Sequence, residues 1–123
     1  MNDVFRVIIA GGRDFNNYES LATAMDLYLA NQHKKIVIVC GMAKGADMLG
    51  ERYARERGYE IAYFPAEWNR FGKSAGMVRN IQMAYNADAV YAFWDGKSRG
   101  TKHMIDTAIE RNLPVTIFRY ENI

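Results

Sequence analysis

Five short apolar runs recur along the chain, with a helical pattern in each gap between them. They are residues 5–10 (FRVIIA), 36–40 (IVIVC), 60–64 (EIAYF), 89–94 (AVYAFW) and 114–118 (PVTIF). Each is rich in β-branched and aromatic residues. Most are near-continuous, not alternating, which is the pattern of strands buried on both faces of a parallel sheet. Between them Leu21, Ala24, Met25, Tyr28 and Leu29 recur at helical spacing, as do Ala46, Leu49, Gly50, Tyr53 and Ala54. Val78, Ile81, Ala84 and Tyr85 repeat similarly, and so do Met104, Ile105, Ala108 and Ile109. Each set predicts an amphipathic helix with that face inward. Residues 16–19 (NNYE) offer the first helix a cap three residues ahead of Glu19, and Gly58 stops the second. The order βαβαβαβαβ predicts an α/β fold, a three-layer sandwich with right-handed crossovers around a five-stranded parallel sheet.

The 123 residues suit one domain, expected to span 1–123. Half the residues are apolar and 24% are charged, which excludes a disordered chain. Sixteen basic against fourteen acidic residues leave +2. That argues against a nucleic-acid coat or a membrane-adsorbed protein, while permitting a local basic patch. Residues 7–10 are too short for a signal-peptide core, and no stretch approaches the ~20 apolar residues of a membrane span. The expected location is cytoplasmic. The single cysteine, Cys40, excludes an internal disulfide and any site built on several thiolates. It reads as a small buried hydrophobe. His33 and His103 read as surface residues, and the seven methionines as core fillers. No His, Asp or Glu cluster has metal-ligand spacing, so neither a metal nor a cofactor is expected.

In parallel α/β sheets ligands bind outside the carboxyl ends of the strands, where strand order reverses. The segments after each strand therefore matter most. They contain Gly11, Gly12, Arg13 and Asp14, then Gly41, Lys44, Gly45 and Asp47. A longer segment with Trp68, Phe71, Lys73 and Gly76 follows the third strand, and Asp95, Gly96, Lys97, Ser98, Arg99, Gly100 and Thr101 follow the fourth. Glycine lets a backbone approach a phosphate closely, and a helix start then supplies N–H donors and a favourable dipole. The 41–45 and 96–100 loops both open helices. Neither is a dinucleotide GxGxxG nor a Walker A motif. Together they point to an anionic, phosphorylated ligand.

The combination GGRDF, CGMAKGAD, FPAEW, AGMVRNIQM and WDGKSRGT resembles the YspA-like branch of the SLOG superfamily, over about residues 7–115. The resemblance implies a Rossmann-like fold with strand order 3-2-1-4-5. It also implies binding of a nucleotide or a nucleotide-derived ligand. Relatives include the Lonely-Guy phosphoribohydrolases and the DNA-processing A proteins. Arg79-Asn80-Ile81-Gln82-Met83 is similar to the phosphoribohydrolase Arg-Lys-x-x-Met, with Asn for Lys. Gly100-Thr101-Lys102-His103-Met104 follows that family's Gly-Thr-x-x-Glu up to its last residue. Met104 stands where the resemblance puts a catalytic Glu, and a thioether cannot take a proton. An N-glycosidase-type reaction would need a carboxylate from Asp47, Glu67 or Asp95.

Several residues keep two readings at this stage. Arg13 either grips a phosphate or braces its loop through Asp14 or Asp47. Lys44 either neutralises phosphate or is solvated. Asp47 either contacts a ribose or orders the loop. Arg79 and Asn80 belong to the site through the resemblance, against the default of a solvated helix face. The hydroxyls of Ser98 and Thr101 either cap a helix, bind phosphate, or do both. Trp68 and Phe71 offer rings on which a base can stack. The expected partner is a nucleotide-like small molecule, bound for sensing or for hydrolysis. Single-stranded nucleic acid is the alternative, disfavoured by the low net charge. Relatives are commonly dimers, so a homodimer is compatible with either reading, but no residue specifies an interface.

Overall fold

A computed structural model of the chain describes residues 3–121. The central strands are β1 (Val4–Gly11), β2 (Lys35–Cys40) and β4 (Ala89–Trp94), flanked by β3 (Glu60–Tyr63) and β5 (Val115–Arg119). All pairings are parallel and the order is β3-β2-β1-β4-β5. This is the expected α/β, Rossmann-like sandwich. The three central strands are buried along most of their length, as their continuous apolar runs require. The edge strands differ: neither β3 nor β5 has a fully buried residue. Each has a neighbour on one side only, so their apolar runs overstate their burial.

Two cores lie on opposite faces of the sheet. Val7, Ile9, Ile38, Tyr91 and Phe93 pack under α1 (Tyr18–Leu29) and α2 (Ala46–Arg57). Ile8, Ala10, Val39, Val90 and Ala92 pack under α4 (Ala75–Tyr85) and α5 (Arg99–Glu110). The alternation of Val7, Ile8, Ile9 and Ala10 between the two cores follows from the period of two along a strand. Each of the larger side chains, fully buried, contributes about 1.5–3 kcal/mol.

Several expectations change, among them Ile109, which is 59% exposed at the end of α5 where an inward position was expected. The first helix is capped by Asn17, whose side chain accepts from the Ser20 N–H at 3.1 Å, so the Asn16–Glu19 capping box does not form. A short helix, α3 (Trp68–Phe71), and a 3₁₀ turn (Gly72–Ser74) occupy the long segment after β3. Helix α4 is rotated: Ala75, Asn80, Met83 and Ala84 are buried, whereas Ile81 and Tyr85 are exposed. Counting apolar residues alone missed that Asn80 can be buried because its amide is hydrogen-bonded. Only Met25, Met83 and Met104 among the described methionines are core residues; Met42, Met48 and Met77 are about half exposed, and Met1 lies outside the described residues.

Candidate functional site

Chain leaving β1 enters α1 on one face of the sheet, and chain leaving β4 enters α5 on the other. The strands are neighbours, with Gly11 in register with Phe93. Their carboxyl ends therefore diverge and open a cleft of about 570 Å³. Gly11, Gly12, Arg13, Asp47, Arg79, Asn80, Asp95, Ser98, Gly100 and Thr101 all line it. So do Lys73, Lys97, Trp68, Met77 and Met104. Gly41, Lys44, Gly45 and Gly96 do not line it, and neither does Phe71.

The glycines outside the cleft serve close packing. Gly45 has φ +78°, and a Cβ there would overlap the Gly12 carbonyl and come within 2.6 Å of the Arg13 carbonyl. Ala46 N–H donates to Gly12 O at 3.2 Å, so the second glycine loop is docked against the first. Gly41 leaves space for two charged groups: a Cβ there would lie 2.7 Å from Arg79 and 2.8 Å from Asp47. Gly96 has φ +84° and sits against the Arg119 guanidinium. Lys44 is simply exposed.

The three carboxylates of the cleft hold the loops. Asp95 Oδ1 accepts from the Lys97 and Ser98 N–H groups at 2.8 Å each, and these bonds, Ser98 first, keep its carboxyl below the usual range. Asp14 Oδ1 accepts from the Tyr120 hydroxyl at 2.6 Å. Asp47 is 6% exposed and accepts from the Ala43 N–H at 3.2 Å, so it orders the loop backbone. Burial raises its carboxyl from 3.8 to about 6, opposed by the Ala43 bond and by Arg79 and Arg13.

That rise carries a stability consequence. Asp47 favours its neutral form in the folded chain, so its stabilising contribution is complete below 3.8 and is lost as pH rises through about 6. The difference is of order 3 kcal/mol. Asp47→Asn keeps an acceptor for Ala43 and removes the charge. It is expected to be more stable than wild type at pH 8, with the gap closing as pH falls below 4. Chemical denaturation of both proteins across pH 3–8 checks this.

Arg79 and Asn80 act together. Arg79 Nη1 donates to Gly41 O, and its Nε donates to Asn80 Oδ1 at 3.1 Å. Asn80 Nδ2 donates to Gly100 O at 3.2 Å and lies 3.1 Å from His103 Nδ1. On the other side of the ring Nε2 lies 3.5 Å from Thr107 Oγ1. His103 is thus a partly buried support of the cleft and not a surface residue; His33 is exposed. Ser98 precedes α5 without capping its backbone, and its hydroxyl instead lies 3.1 Å from that of Thr101. The first-turn N–H groups of α5 are left without a side-chain cap beside the cleft. Arg13, Lys73 and Lys97 make no ion pair among the described residues. With every carboxylate engaged, the uncommitted charge is positive.

Two supports were invisible in the sequence. Tyr120 holds Asp14 and covers Gly12, and Arg119 backs Gly96. The end of β5 therefore braces both loops of the cleft. Phe15 anchors the first loop from below, 5.1 Å from Phe93 and 4.8 Å from Tyr120. No local signal marks Tyr120, which lies 106 residues from Asp14. Cys40 is 2% exposed and burial pushes its thiol up to about 11, so it is unsuited to nucleophilic chemistry. Met104, 1% exposed, forms part of the lining where the resemblance calls for a carboxylate. Among the described residues no cluster of three His, Cys, Asp or Glu is placed to hold a metal. No helix among them is long and apolar enough to cross a membrane.

The YspA, cpYpsA-related SLOG family (YAcAr) matches residues 5–71. The Gene 61 protein of Mycobacterium phage D29 is 34% identical over 119 residues, covering 92% of this chain and 95% of that protein. The chain belongs to the YspA-related SLOG family. Solved structures agree on the fold. This SLOG chain is similar to DNA processing protein A (DprA) from Streptococcus pneumoniae with a TM-score of 0.79 at 18% identity, over 98% of this chain. It spans about half of DprA, 52% of that chain. It is also similar to the protein TM1055, with a TM-score of 0.63 at 20% identity over 94% of this chain and 72% of that one. At these identities the likeness is one of fold.

Proposed function

We propose that this SLOG protein binds a phosphorylated, nucleotide-derived small molecule in the cleft between the ends of β1 and β4. The observation that carries the reading is the state of Arg13. It is exposed, forms no salt bridge among the described residues although its charge is felt by Asp47, and lines the cleft beside the Gly11 and Gly12 backbones. A planar guanidinium with the open N-terminus of α5 nearby suits a phosphate group. Trp68, 53% exposed, and Met77 supply apolar surface for a base. The cleft volume, about 570 Å³, falls in the ordinary range for small-molecule sites.

The reading is of binding, as in a sensor, and not of hydrolysis. Asp14, Asp47 and Asp95 all hold loop or Tyr120 hydrogen bonds, Glu67 lies against Arg70 at 4.0 Å and does not line the cleft, and Met104 offers no proton. Native mass spectrometry of the freshly purified protein tests for a retained ligand. Thermal shift with AMP, ADP and inorganic phosphate tests the chemistry. Nucleotides are expected to raise Tm more than phosphate does. No shift with any of them, and no retained ligand, overturns the proposal. Tight oligonucleotide binding that collapses steeply with salt would instead support the single-stranded nucleic-acid reading.

A further inference from the structure

Asp47 is only 6% exposed, yet one of its two carboxylate oxygens is free. Oδ2 accepts from the Ala43 N–H, whereas Oδ1 accepts no hydrogen bond among the described residues. No enclosed side-chain oxygen or nitrogen among those residues lacks a partner, so Oδ1 is open to the cleft that Asp47 lines. Arg79 is the complement. Its Nε and Nη1 donate to Asn80 and Gly41, and its Nη2 has no partner among the described residues. Both side chains border one gap: a Cβ on Gly41 would lie 2.7 Å from Arg79 Nη1 and 2.8 Å from Asp47 Oδ2. They nevertheless form no ion pair with each other.

Held apart, the two groups offer an acceptor and a donor to a third. A fully ionised phosphate has no proton to donate and is repelled by the carboxylate. An ammonium group cannot accept from the guanidinium. A hydroxyl does both, and one oxygen with hydrogen bonds of ~2.8 Å on each side spans such a gap. We infer that Asp47 and Arg79 together take a sugar hydroxyl of the ligand, and that Asp47 makes the cleft select ribonucleotides over deoxyribonucleotides. The inference rests on the reading of the cleft as a nucleotide site and names the class of nucleotide. A site built to hydrogen-bond a hydroxyl rejects the analogue lacking it, because its own polar groups are then left unpaired.

The neighbours of this pair follow the order of a nucleotide's parts. A Cβ on Gly76 would lie 3.9 Å from the Trp68 ring and 4.0 Å from Arg79 Nη2, so the exposed ring adjoins Arg79. The charges of Arg79 and Arg13 both act on Asp47. A base on Trp68 and a phosphate at Arg13 leave the sugar beside Asp47 and Arg79.

Calorimetric titration of the full chain with AMP and with 2′,3′-dideoxy-AMP tests this. At pH 8 the Asp47 carboxyl, raised by burial to about 6, is ionised. Wild type is expected to bind AMP about 10-fold or more tightly than the dideoxy analogue, as for a lost hydrogen bond to a charged group. Asp47→Asn keeps an acceptor for Ala43 and turns an amide N–H toward the cleft, which cannot accept from a hydroxyl. It is expected to bind the two nucleotides alike. Asp47→Ala supplies a second measurement with the same expected loss of preference. Arg13→Ala is the contrast: both affinities are expected to fall together and their ratio to stay that of wild type. Equal binding of the two nucleotides by wild type, or a preference that survives both Asp47 variants, overturns the inference and leaves the nucleotide reading standing. Binding of neither nucleotide by wild type overturns that reading, and the inference with it.

Discussion

Gly45→Ala is expected to destabilise the protein by about 2–6 kcal/mol. Two costs combine. The residue holds φ +78°, which strains any side-chain-bearing residue by about 1–3 kcal/mol. The added Cβ also meets the Gly12 and Arg13 carbonyls, which are backbone atoms that cannot swing aside. Forcing such a contact costs a further 1–3 kcal/mol or so. Relief requires the two glycine loops to separate, which would break the Ala46 N–H to Gly12 O bond. Gly58→Ala is a partial control: φ is +74° with nothing within 4 Å of the added Cβ, but ψ of 24° places it in the left-handed helical region, where strain is smaller than at Gly45 with ψ −128°. Urea denaturation of the three proteins checks the order wild type, Gly58→Ala, Gly45→Ala. Equal losses in both variants would mean that the loop contact carries no weight.

Arg13→Ala is expected to weaken AMP binding by about 10- to 150-fold while leaving Tm of the unliganded protein unchanged. A hydrogen bond to a charged group contributes about 1.5–3 kcal/mol, which converts to that range. Unliganded stability is unaffected because Arg13 is exposed and holds no ion pair among the described residues. Arg79→Ala behaves differently. It is expected to weaken AMP binding too, but because it also frees Gly41 O and Asn80 Oδ1, its unliganded Tm is expected to fall. Calorimetric titration with AMP beside thermal melts separates the two arginines. Unaltered AMP affinity in Arg13→Ala would remove that residue from the site.

The contrast between these arginines shows where sequence reasoning stops. Both appear in it as cations near glycines. Only the folded chain separates Arg79, committed to the Gly41 loop and to Asn80, from Arg13, left uncommitted. The glycines divide in the same way. Gly11 and Gly12 line the cleft, whereas Gly41, Gly45 and Gly96 make room for Arg79, for the first loop and for Arg119. Local turn chemistry marks all five alike, because it reports a backbone need and not what fills the space. The reading of α4 failed for a related reason. Apolar spacing cannot register Asn80, whose burial rests on partners from α5.

What the chain determined by itself was the α/β class, the existence of the five strands and their bounds to within a residue, the existence of the four long helices, and a carboxyl edge rich in glycine and cations. These follow from the period of two or 3.6 residues and from turn residues, which act over a few neighbours. The strand order followed from family resemblance, not from periodicity. Tertiary structure alone decided which groups face the cleft, which carboxylates are engaged, and that Tyr120 and Arg119 brace its two loops. Each depends on contacts between residues far apart in the chain, as with Tyr120 and Asp14, and no local pattern encodes such a meeting.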